Sequence, residues 1–305
     1  MLILNKPEKN LIDASSLCIG FFDGVHKGHQ KIIGDCIEKS KSLGTESVVL
    51  TFSNHPREFS HGDAPKSLTT IEQRLELFQK LGIEAVLILP FDKKLYEMRA
   101  NDYIKEILVD CLNPKTITVG YNHHFGKNRE GNSRVLADYG SFEVTVIEPV
   151  KINGDIVSSS LIRQLLETGN TEKAAKLLGR PFSIRNTVVK GHQIGKALGF
   201  PTANLLIPTD ISIPQKGVYL GYTNVNNKKY KSLINIGNRP TFNDNKELIE
   251  VYLLDFTGNL YDKAIEVEFI KRIRDITKFD NTESLKAQLN LDLESLLNYK
   301  GYELL

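Results

Sequence analysis

An α/β domain with a doubly wound parallel sheet, followed by a small closed β-barrel with a terminal helix, is the fold that this 305-residue sequence predicts. Three observations carry it. Over the first 150 residues, short β-branched apolar runs alternate with helix-like segments, the rhythm of parallel strands covered on both faces. After residue 180 the runs are strand-like and separated by turns. The chain then closes on "ESLKAQLNLDLESLLNYK" (283–300), an amphipathic helical segment.

The elements follow in order. "LCIGF" (17–21) is a buried strand, and Ile32, Ile33, Cys36, Ile37 and Leu43 mark one face of a helix that begins near Gly28. "SVVLTF" (47–52) is the next strand. "TIEQRLELFQKLG" (70–82) is a helix, with Thr70 and Gln73 at capping-box spacing and Gly82 as its stop. "AVLILPF" (85–91), "TITVG" (116–120) and "FEVTVIEPV" (142–150) complete the strands, and the serines at 158–160 can cap a further helix, "LIRQLLETG". The second half reads as strands "FSIRNTVVKG", "TANLLIP", "GVYLGYTNV", "YKSLINIG", "LIEVYLLDF" and "AIEVEFI". "VNNKKY" (225–230) and "TGN" (257–259) signal turns between paired runs. The boundary is expected near residue 180, giving domains 1–180 and 181–305.

Composition sets bounds on function. With 41% hydrophobic and 25% charged residues, the chain is an ordinary globular protein that can bury its cores without staples. A net charge of +2 argues against an electrostatic nucleic-acid binder. The apolar runs are strand-length, too short for a membrane span, and "MLILNKPEKN" lacks the apolar core of a signal peptide. Cys18, Cys36 and Cys111 form no CxxC pair, so buried reduced thiols in a cytoplasmic protein are expected. Oligomeric state is left open.

Six of the seven histidines lie within the first 124 residues, two of them in "GVHKGHQ" (24–30). This segment is the turn after the first buried strand, at the carboxyl end where open α/β sheets bind ligands. A helix N-terminus there attracts phosphate, Gly24 and Gly28 allow close backbone approach, and His26 and His29 add donors for a nucleotide triphosphate. A structural or solvated pair is the plainer alternative. "TFSNHP" (51–56) brings His55 to the same end of the sheet, as do the polar "GYNHHFGKNREGN" (120–132) and "VSSSLIR" (157–163), with hydroxyls and Arg163. Neither "GYNHHFGK" nor "GHQIGK" has P-loop spacing.

Together, "IGFFDGVHKGHQ", "TFSNHP", "GYNHHFG" and "SSSLIR" resemble the adenylyltransferase module of bacterial bifunctional riboflavin kinase/FAD synthetases, in order and spacing over most of residues 15–175. The resemblance implies a Rossmann-like nucleotidyltransferase domain. It also implies an ATP site drawn from Phe22, Asp23, Gly24, His26, Gly28, His29, Asn122, Ser158, Ser159, Ser160 and Arg163. His26 and His29 would be its catalytic residues, with FMN near His55, Pro56 and Asn122. Phe21, Asn54 and Asn122 depart from the residues usual in the family.

In the second half, "GHQIGKALGFPTANL" (191–205) has glycines at 191, 195 and 199 that suit a loop over phosphate, or a plain glycine-rich hairpin. Thr202 and Asn204 alternate with Ala203, so they share one face of a strand, and their oxygens suit Mg²⁺. A cap or turn pair is the alternative. Glu250 is an acid within the apolar "LIEVYLLDF", either a solvent-facing alternation or a positioned base. "GHQIGKALGFPTAN", "NIGNRPTF", "IEVYLLDF" and "KFDNTESLKAQL" resemble the riboflavin kinase module over about residues 182–300. That resemblance implies a six-stranded barrel with Gly191, Gly195, Lys196, Gly199 and Phe200 around ATP. Thr202 and Asn204 would hold Mg-ATP, Glu250 would activate the ribityl hydroxyl, and Arg274 would lie in a mobile segment near the flavin. Riboflavin, FMN, FAD and ATP are then substrates or products. A kinase with another nucleotidyl acceptor, a non-catalytic flavin or nucleotide sensor, and an RNA-modifying or synthetase-like enzyme sharing HxGH are the competing readings.

Overall fold

The computed structural model describes residues 1–61, 64–191, 195, 198–239 and 244–300. The chain forms two compact units, Met1–Ser159 and Ser160–Leu305.

In the first unit, β1 (Leu2–Leu4), β2 (Ser15–Ile19), α1 (Lys27–Leu43), β3 (Glu46–Phe52), α2 (Ile71–Leu81), β4 (Ala85–Leu89), β5 (Pro114–Gly120) and β6 (Glu143–Ile147) are the main elements. The strands make one sheet in the order β1-β4-β3-β2-β5-β6, and every pairing is parallel. Alternation along the strands splits the core into two layers, because successive side chains point to opposite faces. Leu17, Ile19, Leu50 and Val119 pack on one face with Ile104 and Leu108. Cys18, Val49 and Val86 pack on the other with Ile33, Cys36 and Phe78 from α1 and α2. The expected doubly covered sheet is therefore present, and all three cysteines are free and buried.

The caps account for the helix limits. Thr70 Oγ1 accepts from Gln73 N at 3.3 Å while Gln73 Oε1 accepts from Thr70 N at 3.1 Å, a complete capping box, and Gly82 ends α2 at φ 98°. β1 was not foreseen, being three residues long with Leu2 and Ile3 about half exposed (50% and 45%). Also unforeseen is a π-helical stretch, Tyr103–Val109, that buries Tyr103, Ile104, Ile107 and Leu108.

α3 (Ser159–Glu167) opens at the division; in the second unit α4 (Thr171–Leu178) precedes β7 (Phe182–Val189), β8 (Thr202–Leu206), β9 (Gly217–Val225), β10 (Lys228–Arg239), β11 (Asp244–Leu253) and β12 (Ala264–Arg274), and α5 (Thr282–Asn298) follows. The strands close a barrel in the order β7-β8-β11-β10-β9-β12, antiparallel throughout. Compaction divides the chain about twenty residues before the boundary expected near 180. The reason is that the α3–α4 segment is bonded to the barrel sequence. Thr171 Oγ1 donates to Ile270 O at 2.8 Å, and Gln215 N donates to Leu166 O at 2.8 Å.

Candidate active sites

The first site begins where β2 stops extending. Phe22 adopts φ 53° and ψ 34°, a left-handed conformation that is costly for a bulky residue, and Gly24 (φ 78°) and Val25 (φ 40°) follow it. Tertiary contacts hold the elbow. The Phe22 ring is buried edge-on between His29 (5.3 Å) and Phe78 (5.9 Å). Asp23 Oδ1 accepts from Leu68 N at 2.8 Å and Thr69 N at 3.3 Å, and Gly24 N donates to Thr69 Oγ1 at 3.1 Å. Asp23 thus anchors the turn by its side chain. Its carbonyl accepts from Ser159 Oγ at 3.0 Å, joining the expected serine segment to the HxGH turn.

α1 starts one residue earlier than expected, because His26 is its N-cap. His26 Nδ1 accepts the His29 backbone N–H at 3.2 Å. In the neutral imidazole this assigns the proton to Nε2, making that nitrogen a donor. The His26 and His29 rings are stacked, with centroids 3.5 Å apart and planes at 17°. Burial, then the neighbouring His26, then the Arg74 charge hold His29 well below the ordinary imidazole pKa. His29 is accordingly a neutral ring at pH 7, and its Nδ1 is buried with no hydrogen-bond partner among the described residues. Gly28 permits this packing, since a Cβ there would lie 3.1 Å from the His26 ring.

The neighbouring turns hold the remaining candidates. The His55 ring meets Phe21 edge-on at 4.7 Å, and its Nδ1 accepts from Arg57 N at 3.1 Å across half-buried Pro56. Asn54 supports this loop through its amide. Nδ2 donates to Phe91 O at 3.1 Å, and Oδ1 accepts from Phe91 N at 2.8 Å. Asn122 is exposed just beyond β5, where His123 N closes a turn onto Gly120 O at 3.0 Å. His123 stacks on Phe125 at 5.7 Å, and burial, then His124, push its pKa down to about 4. Ser158 is half-buried immediately before α3. Ser160 and Arg163 lie on α3, and Arg163 shares the face of Ser159 at i+4 spacing.

The second site is a layer across three strands. Asn204 pairs in register with Glu250, and Glu250 with Asn235 on the next strand, so the three side chains share one face. Ile249 and Val251, on the opposite face, are fully buried. Asn235 Nδ2 donates to Glu250 Oε2 at 3.1 Å. Glu250 is therefore a half-buried, hydrogen-bonded acid on a rigid strand, not a freely solvated alternation residue. Thr202 pairs with Tyr252, and Phe200 packs on that ring at 5.3 Å. Gly191 lies against Asn204, where a Cβ would come within 2.4 Å of its Nδ2. Phe200 N and Leu198 N both donate to Gly195 O, at 2.8 and 3.1 Å, and Gly199 turns at φ 86°. Lys196 and His192 lie outside the described residues.

Arg274 requires a correction. It ends β12 instead of lying in a mobile segment, and its guanidinium is clamped to Asp292 of α5. Nε donates to Oδ1 at 2.9 Å and Nη2 to Oδ2 at 2.6 Å, with Gln288 Nε2 on the same carboxylate at 2.9 Å.

Sequence reasoning missed Asn235 and Arg74. Asn235 stands in the quoted "NIGNRPTF" and is one strand over from Glu250. Arg74 occupies a position on the apolar face of α2, and a cation at such a position was the signal available.

Among the described residues, no three histidine, cysteine or acidic side chains form a metal cluster, and no helix is long and apolar enough to cross a membrane. Thr202, Asn204 and Glu250 instead offer hydroxyl, amide and carboxylate oxygens on one face of the sheet. That donor set fits Mg²⁺, which takes few protein ligands and completes its shell with water and phosphate.

Comparison with known proteins bears on both sites. Residues 9–161 match the FAD synthetase family and residues 178–300 match the riboflavin kinase family. A bifunctional riboflavin kinase/FMN adenylyltransferase of Buchnera aphidicola subsp. Schizaphis graminum is 36% identical over 95% of this chain and 96% of its own. The one of Escherichia coli K12 is 35% identical over 90% of each. Among solved structures, a macrolide-efflux protein from Streptococcus pneumoniae has a TM-score of 0.89 and 28% identity, covering 98% of this chain and 100% of that one. That likeness conveys the shared fold.

Proposed function

Because the chain belongs to the bifunctional riboflavin kinase/FMN adenylyltransferase family, we propose that its two ATP-dependent reactions run at two separate sites. Residues 181–305 phosphorylate riboflavin to FMN. Residues 1–180 transfer an adenylyl group from a second ATP to FMN, giving FAD and pyrophosphate. The observation that supports this division most directly is the Asn204–Glu250–Asn235 layer, a positioned base beside hard-oxygen donors, in a unit that does not contain the HxGH elbow.

In the kinase reaction the ribityl 5′-hydroxyl is a poor nucleophile and needs a base. Glu250 takes its proton as the oxygen attacks the γ-phosphorus and ADP leaves. The Asn235 amide holds one carboxylate oxygen and so aims the other. Thr202 and Asn204 would hold Mg²⁺ with the nucleotide, and the ion would supply neutralisation of phosphate charge. The backbone of Gly191, Gly195, Gly199 and Phe200 lies over the phosphates and adenine.

In the adenylyltransfer the nucleophile is the FMN phosphate, largely dianionic at pH 7 because its second pKa is about 6. No base is required. An oxygen of FMN attacks the α-phosphorus, the bond to the β-phosphate oxygen breaks, and the electron pair leaves with pyrophosphate. His26, through Nε2–H, and His29 donate to that polyphosphate, together with the backbone N–H groups that open α1. Asn122, His55 and Pro56 border the flavin side, and Ser158 and Ser159 the nucleotide side.

Incubation with riboflavin, Mg²⁺ and ATP, followed by separation of the flavins, tests the scheme. FMN appears first and FAD follows. Glu250→Gln abolishes FMN formation but still converts supplied FMN to FAD, and His26→Ala does the reverse. Loss of both activities in either folded variant would refute two separate sites.

A further inference from the structure

Arg74 is a cation set where the inward face of α2 calls for an aliphatic side chain. Ile71, Leu75 and Phe78 share that face, and Arg74 is 2% exposed. Its Nη1 donates to the Phe21 carbonyl at 2.7 Å and lies 3.4 Å from Thr51 Oγ1, which itself donates to the same carbonyl at 3.1 Å. The guanidinium carbon sits 4.4 Å over the Phe21 ring. Among the described residues Nε has no hydrogen-bond partner and no carboxylate closes an ion pair with the group, although the Asp23 and Glu72 charges act on it. Burial brings its pKa down only to about 10, so the side chain remains charged at neutral pH.

A buried cation with no direct ion pair is costly even with the Asp23 and Glu72 charges acting on it, and neutral residues of similar shape pack at least as well. What distinguishes this position is its neighbour. Phe21 is the last residue before the left-handed Phe22, so the carbonyl that Arg74 fixes belongs to the peptide from which the elbow departs. The charge also lies close enough to be felt at His29. A single side chain therefore holds the support of the elbow and adds positive potential at His29.

We propose that Arg74 is a positioning residue for the adenylyltransfer, fixing the start of the His26–His29 elbow and lending it a buried positive charge matched to the polyphosphate of ATP. This rests on the assignment of that elbow to the ATP phosphates. Two variants separate the parts. Arg74→Lys keeps the charge but gives up the fork and the stack on Phe21. Arg74→Gln keeps an N–H donor and removes the charge. FAD formation from FMN and ATP is measured for both, with riboflavin phosphorylation and thermal unfolding on the same samples. Arg74→Gln is expected to raise KM for ATP in FAD formation by roughly tenfold or more and to lower kcat. Arg74→Lys is expected to hold KM within about threefold while lowering kcat, as follows from keeping charge without geometry. Riboflavin phosphorylation stays unchanged in both. Equal KM in the two variants, or a loss explained wholly by a smaller folded fraction, overturns the proposal. His26→Ala is run beside them. If it still makes FAD, the ATP-site assignment has failed; if it is inactive while Lys and Gln behave alike, only the role given to Arg74 has failed.

Discussion

Asn235 and Glu250 face each other in register across β10 and β11, and the amide of one donates to the carboxylate of the other at 3.1 Å. In the kinase reaction proposed above, the bond would restrain the base that has to meet a hydroxyl at hydrogen-bond distance, and small misplacements of such groups are expensive in rate. Asn235→Leu is expected to lower kcat for riboflavin phosphorylation by roughly tenfold or more with little change in KM for ATP. Conversion of supplied FMN to FAD stays at the wild-type rate. A KM effect with unaltered kcat would place Asn235 in substrate binding instead.

Gly28 sets stability against activity. It is the second residue of α1, where alanine ordinarily stabilises a helix by about 0.5–1 kcal/mol. A Cβ there would nonetheless come 3.1 Å from the His26 ring, tighter than such contacts normally are, and would push the imidazole from its stack on His29. Gly28→Ala should therefore leave the thermal midpoint unchanged or raised while lowering FAD formation by roughly tenfold. Riboflavin phosphorylation is the internal reference. Unimpaired FAD formation would mean that the placement of the His26 ring does not limit the reaction.

The strand-to-helix elbow was legible in the sequence because its signals are local. An apolar run, glycines, a polar turn and a 3.6-residue period each act within a few residues, and the same holds for the Thr70–Gln73 capping box. The alternation of Thr202 and Asn204 likewise announced a shared face. What was not legible depends on contacts distant in sequence. Nothing near Asp23 says that its carboxylate will bind the backbone at Leu68 and Thr69. Nothing near Arg274 announces Asp292. That His26 would cap α1, and so spend Nδ1 on the backbone, follows from a ring orientation that spacing does not encode. β1 was too short and too exposed to stand out from a terminal tail.

His123 gives the first unit an acid sensitivity of predictable sign. Its pKa falls from the ordinary 6.5 to about 4 in the folded state, through burial and then His124. Between these values the unfolded chain binds a proton that the folded chain refuses. Stability supplied by the neutral ring is complete above about pH 6.5 and is lost as pH falls toward 4. His29, lowered for similar reasons, acts in the same direction. His123→Phe keeps an aromatic ring against Phe125 and removes one titrating group. Thermal unfolding from pH 7 to pH 4.5 should show a shallower fall in midpoint for the variant than for the wild type. Parallel curves would mean that His123 is protonated in the folded state as readily as in the unfolded one.

Arg274 and Asp292 form a two-point ion pair between the end of β12 and α5, and the Asp292 side chain is only 4% exposed. Removing the cation alone leaves a buried carboxylate, with Gln288 as a neutral donor and no other ion-pair partner among the described residues. Such truncations typically cost about 3–5 kcal/mol, whereas replacing both partners by apolar residues is often close to neutral. Arg274→Met should destabilise the barrel toward the lower end of that range, since the arginine is partly exposed at 21%. The double variant Arg274→Met with Asp292→Leu should recover most of the loss. Urea unfolding of the two variants and the wild type measures both effects. Riboflavin KM, measured alongside, distinguishes the two roles considered for this residue. An arginine that serves the α5 clamp gives a double variant with ordinary KM and restored stability. An arginine that also contacts the flavin leaves KM raised even after stability has returned.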